Sequence, residues 1–147
     1  MKILIVEDDA FKAEDIKSVI LKEIRDCRIK VAKSFQSGCE VSLTDKFDLL
    51  ILDMSIPNFD ICSEDQGGET LKNGGELIMR ELIDEGRNFN AVILSQYETF
   101  AGETIEQIDK RLKEFGQSKY MGWIKYSISN NDWQEKLLNT IKKCYPY

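Results

Sequence analysis

The sequence predicts an α/β domain in which a parallel sheet of five strands is covered by helices on both faces. Two observations carry this. Strand-type and helix-type segments alternate five times along 147 residues, and strands joined through helices run parallel with right-handed crossovers. The strand segments, such as "LLIL" at 49–52 and "AVIL" at 91–94, are short apolar runs bounded by turn residues. That is the pattern of strands buried on both faces.

The elements follow in order. "KILIVEDD" (2–9) is a buried strand that runs into acid. In "AFKAEDIKSVILKEIRDC" (10–27), Ile16, Ile20 and Ile24 recur every four residues, flanked by Val19 and Cys27, which makes a one-faced helix. "RIKVAK" (28–33) alternates as a strand does, and Ser34 is placed to cap a short helix over 35–45. Residues 48–53 form the next strand, and 54–74 are a long, polar, glycine-bearing connection. "GELIMRELIDEG" (75–86) is a helix stopped by Gly86, and "NFNAVILS" (88–95) is a strand. A helix is expected over 98–116, with Ile105, Ile108, Leu112 and Phe115 on one face. "YMGWIK" (120–125) is the last strand, and 130–144 the last helix, with Trp133, Leu137, Ile141 and Cys144 inward. With no internal repeat, low-complexity tract or linker, residues 1–147 read as one domain.

The totals exclude several functions. A hydrophobic content of 42% and a charged content of 31% suit a chain with a real core. A net charge of -6 argues against direct nucleic-acid binding, which needs clustered Lys and Arg. The longest apolar runs are strand-sized, so no membrane-spanning helix is expected. "MKILIVEDD" turns acidic at once and has no small-residue cleavage site, so it does not read as a signal peptide. The four cysteines form no CxxC pair, which fits reduced, mostly buried thiols in a cytoplasmic protein. There is no histidine at all. That removes a zinc site of His type, a Ser-His or Cys-His nucleophile, and any phosphohistidine carried by this chain.

Several strands end in polar groups at what must be one edge: Glu7, Asp8 and Asp9, then Asp53, Ser95 and Lys125. In a doubly wound sheet the carboxyl ends of the central strands converge on one crevice. The residue types suit phosphoryl transfer to a carboxylate. Magnesium takes hard oxygen ligands, often one or two carboxylates, and crowded carboxylates favour a divalent cation. A transferring phosphoryl group spreads negative charge over its oxygens and needs positive groups and donors around it. The alternative for Glu7, Asp8 and Asp9 is a solvated strand end or first-turn acids that complement a helix dipole, and for Asp53 a capping or loop carboxylate.

"ILIVEDD", "FDLLILDMSIPNFD", "AVILS" and "GWIK" resemble, in order, the acidic pair, phosphoacceptor strand, hydroxyl strand and lysine strand of response-regulator receiver domains. The resemblance spans nearly the whole chain. It implies a flavodoxin-like fold with strand order 2-1-3-4-5. It makes Asp53 the phosphoacceptor, and it gives Mg2+ to Glu7, Asp8, Asp53 and the backbone carbonyl of Ser55. Ser95 becomes the switch hydroxyl and Lys125 the phosphoryl contact. The implied partners are a histidine kinase or histidine phosphotransfer protein and a downstream protein, with a homodimer as a further option and no membrane or nucleic-acid contact. Such a chain is no enzyme beyond its own phosphorylation and dephosphorylation. It is read as a stand-alone or excised receiver.

The sequence departs from that family at four places. Gln96 and Tyr97 follow Ser95 where a small residue is usual. Tyr126 follows Lys125 where proline across a cis bond is usual, and a cis bond there costs about 3 kcal/mol. Gly122 stands where the switch aromatic is usual. Residues 61–74 form an insert, expected to act as a lid or partner contact or to be a decoration without a role. These departures support a second reading, a phosphorylation-independent pseudo-receiver that binds protein or dimerises. A stand-alone phosphohydrolase is disfavoured, because such enzymes place a second Asp where this chain has Ser55.

Overall fold

The computed structural model describes residues 1–61, 68–100, 102–116 and 119–144. Its elements are β1 (Lys2–Val6), α1 (Ala10–Glu23), β2 (Arg28–Ala32), α2 (Phe35–Thr44), β3 (Leu49–Leu52), β4 (Ile56–Pro57), β5 (Thr70–Leu71), α3 (Gly74–Asp84), β6 (Ala91–Ser95), β7 (Thr99–Phe100), β8 (Glu103–Thr104), α4 (Ile105–Gly116), β9 (Tyr120–Lys125) and α5 (Asp132–Cys144). The main sheet has the order β2-β1-β3-β6-β9, all parallel, which is the expected order 2-1-3-4-5 among its own strands.

Alternate residues of each central strand face opposite sides, so the sheet carries two cores. Leu4, Val6, Leu50, Leu52 and Ile93 pack with Ile78, Leu82, Ile108 and Leu112, under α3 and α4. Ile3, Ile5, Leu49, Ile51, Val92 and Leu94 pack with Ile16, Ile20, Trp133, Leu137 and Ile141, under α1 and α5. Trp133 is a core residue, and Trp123 packs half-buried on the first cluster.

The caps explain where helices begin and end. Ser34 caps α2 and shares a reciprocal capping box with Ser37. Gly86, at φ +68, closes α3 with the N–H of Gly86 on Ile83 and that of Arg87 on Leu82, a left-handed stop that glycine adopts at least cost.

Three boundaries differ from the sequence expectation. Helix α1 ends at Glu23 rather than Cys27. The expected helix over 98–116 begins only at Ile105, because Thr99–Phe100 and Glu103–Thr104 pair as a hairpin with Gly102 at φ +84. Thr104 then caps α4: its N–H donates to Gln107 Oε1 at 2.9 Å, and the Gln107 N–H to Thr104 Oγ1 at 3.3 Å. The connection 54–74 is closed by its own ladder, Ile56 opposite Leu71 and Pro57 opposite Thr70. Asp60 holds its outgoing arm to the start of α2, accepting from Ser34 Oγ at 2.6 Å and Ser37 Oγ at 2.7 Å. The insert expected over 61–74 lies partly outside the described residues, at 62–67. Among the described residues no helix is long and apolar enough to cross a membrane.

Candidate functional site

The site forms where β1 and β3 end side by side. Their pairing runs in register to Val6 opposite Leu52, and the Asp53 N–H continues it by donating to Val6 O at 3.1 Å. The next residues of both chains, Glu7 and Asp53, are therefore brought together. Glu7 is 3% exposed and Asp53 7%, while Asp8 is exposed beside them. One carboxylate oxygen from each of Glu7, Asp8 and Asp53 lies within 4.8 Å of the others. These residues open into a cleft of about 220 Å³ also lined by Asp9, Lys12, Ser55 and Thr70, with Gln96 and Tyr97.

Asp9 has a structural task. Its Oδ1 accepts the N–H of Phe11 at 2.9 Å and of Lys12 at 3.3 Å, capping α1. Asp53 Oδ1 accepts the N–H of Met54 at 2.8 Å, which orients its carboxylate.

Lys12 is the residue that sequence reasoning missed. It stands one turn before Ile16 on the stripe Ile16–Ile20–Ile24, so its side chain is directed inward and is 3% exposed. Its ammonium lies 3.0 Å from Glu7 Oε2 and 3.6 Å from Asp53 Oδ1, and it donates to Leu94 O at 2.8 Å. The Tyr126 ring sits 5.4 Å below it. A lysine at the four-residue spacing of a buried stripe was the available signal.

The structure does not bring Lys125 into this group. Its side chain is half exposed and donates to Glu98 Oε1 at 2.6 Å, and it does not line the cleft. Ser95 is fully buried, its hydroxyl accepting the Tyr97 N–H at 3.3 Å. Tyr126 is buried, with its N–H on Ser95 O at 2.9 Å and its hydroxyl on Asp15 at 2.8 Å. No cis peptide bond occurs among the described residues.

Burial, and next the charge of Asp53, raise the pKa of Glu7 well above the ordinary carboxylate value, with Lys12 pulling the other way. Burial also raises Asp8, with a further push from Asp53. Glu7 Oε2 is buried, and the Lys12 ammonium at 3.0 Å is its partner. Three crowded carboxylates exceed one ammonium. This donor set fits a hard divalent cation.

No protein-family model matches the chain. An uncharacterized protein, y4jR, of Sinorhizobium fredii is 26% identical over 95% of each chain. The Detocs response regulatory protein DtcB of Enterobacter cloacae is 23% identical over 96% of this chain and 98% of its own. Among solved structures, the response regulator TrrA of Thermotoga maritima, in complex with Mg2+-BeF, superposes with a TM-score of 0.66 at 18% identity over 97% of each chain. The strand order, the alternating layers and these likenesses agree. The chain has the flavodoxin-like fold of response-regulator receiver domains.

Proposed function

We propose that this chain is a phospho-accepting receiver in which Asp53 takes a phosphoryl group from the phosphohistidine of a histidine kinase or phosphotransfer protein. The observation that supports it is the buried Asp53 carboxylate at the end of β3, with Glu7 and Asp8 oxygens within 4.8 Å in an open cleft. These 147 residues hold no histidine, so the donor histidine lies outside them.

In the transfer, an Asp53 oxygen forms the new P–O bond as the P–N bond to the donor imidazole breaks. The electron pair of that bond stays on the imidazole. Met54 N–H holds the acceptor carboxylate in place. Glu7, Asp8, Asp53 and the Ser55 carbonyl would hold Mg2+, which when bound supplies positive charge to the phosphoryl oxygens. Buried Ser95 lies on the adjacent strand β6, and a change in its hydrogen bond to Tyr97 carries the phosphorylated state towards the α4–β9 face. That face contacts a downstream protein or a second copy. No chemistry beyond the chain's own phosphorylation and dephosphorylation is assigned.

The second reading, a pseudo-receiver, draws on two observations: Lys12 already supplies a cation to the carboxylates, and the exposed Gln96 and Tyr97 line the cleft. Intact-mass measurement after incubation with magnesium and acetyl phosphate separates the two. A gain of one phosphoryl group that needs magnesium and vanishes in Asp53→Asn is expected; no gain in the wild type leaves the pseudo-receiver.

A further inference from the structure

We propose that the ammonium contacting the phosphoryl group in this chain comes from helix α1, as Lys12, and not from the strand-end Lys125. The assignment rests on the receiver reading above and names a residue for its site.

Three observations carry it. First, position: Lys12 Nζ stands between two of the three carboxylates, 3.0 Å from Glu7 and 3.6 Å from Oδ1 of Asp53. A phosphoryl group on Asp53 would present its oxygens within a few ångströms of that ammonium. Second, preorganisation: the ammonium is held by Leu94 O at 2.8 Å, and its stem is buried, so little reorientation is needed when charge develops. Third, support: the ring under Lys12 is Tyr126, packed on Trp133 with ring centres 5.0 Å apart. The Tyr126 hydroxyl is tied to Asp15, one turn along the same helix. Lys12, Asp15, Tyr126 and Trp133 thus form one packed unit that reaches the cleft. Lys125 has none of this; it is exposed and pairs with the exposed Glu98.

The same ammonium has a second consequence. It supplies positive charge where a divalent cation would also sit, so it opposes metal binding while it favours phosphoryl transfer. Removing it moves the two readouts in opposite directions, whereas a merely misfolded variant loses both.

The test compares the wild type with Lys12→Met, Lys12→Arg, Lys125→Met and Asp53→Asn. Each is checked for its fold by circular dichroism and for magnesium affinity by calorimetry. Each is then timed for phosphoryl gain from acetyl phosphate by intact mass. The expected result is a loss of at least about tenfold in rate for Lys12→Met, with magnesium bound at least as tightly as by the wild type. Lys12→Arg recovers part of the rate, and Lys125→Met loses less than Lys12→Met. A Lys12→Met rate equal to the wild type, a larger loss in Lys125→Met, or a joint fall of rate and magnesium affinity in Lys12→Met would overturn the assignment while leaving the receiver reading intact. A wild type that gains no phosphoryl group overturns the receiver reading, and the assignment with it.

Discussion

Gly75→Ala sets helix propensity against packing at the acceptor strand, and the structure decides the sign. A Cβ at Gly75 would lie 2.7 Å from the carbonyl oxygen of Asp53 and 3.3 Å from both its carbonyl carbon and Ile93 Cδ1, where ordinary contact begins at 3.4 Å. The obstacle is backbone. Asp53 is tied to β1 through its N–H on Val6 O at 3.1 Å, and the next carbonyl, Met54 O, takes the Gly74 N–H at 2.7 Å. Neither group can swing aside. Alanine favours a helix interior over glycine by about 1 kcal/mol, and by less in a first turn. Overpacking a filled site costs about 1–3 kcal/mol. The net effect is a loss of about 1–2 kcal/mol, or about 2–8 °C in Tm for a chain of this size. Urea unfolding checks it: the midpoint falls while the slope stays constant. A variant as stable as the wild type, or more so, would refute the close approach of α3 to Asp53.

Other outcomes follow from single contacts. Glu76 is buried at 2% exposure, and Arg111 grips it with Nη2 at 2.7 Å and Nε at 2.9 Å, joined by Arg80 at 3.0 Å. Burial pushes its pKa up, but the hydrogen bonds from Arg111 and Arg80 outweigh burial and lower it. A lowered carboxylate pKa stabilises the fold above the unfolded value, and that contribution is lost as pH falls through the folded value. Glu76→Gln should therefore lose about 1–2 kcal/mol near neutral pH, discounted for the partly exposed arginines. Its disadvantage should vanish in acid, as a series of melts against pH would show. Ser34→Ala removes the α2 cap and one tether of Asp60, and should lower stability by about 1 kcal/mol in the same urea assay. Leu52→Ala, at a fully buried position of β3, should cost about 2–5 kcal/mol, read from the same unfolding midpoints.

The sheet was legible because its signals are local and strong. Apolar runs such as Leu49–Leu52 have no amphipathic alternative, and a carboxylate after each of two neighbouring strands marks their shared edge. The short hairpins were not legible. Two-residue strands such as Thr99–Phe100 carry too few residues for any periodicity, and the apolar stripe of α4 extends back to a start that only the Thr104–Gln107 capping pair marks. The direction of the Lys125 side chain was not legible for a different reason. Strand order puts the ends of β6 and β9 side by side, Ser95 opposite Lys125, but not the direction of a long, flexible side chain. Lys12 was hidden in a stripe read as apolar, where a buried charge is retained only because carboxylates face it.

Locating the phosphoryl group tests the central claim most directly. After incubation with magnesium and acetyl phosphate, borohydride reduction converts an aspartyl phosphate to homoserine, and peptide mass mapping finds the converted position. Homoserine at residue 53 alone, absent when magnesium is omitted, is the predicted result. Conversion at another carboxylate, or at none, would contradict the account.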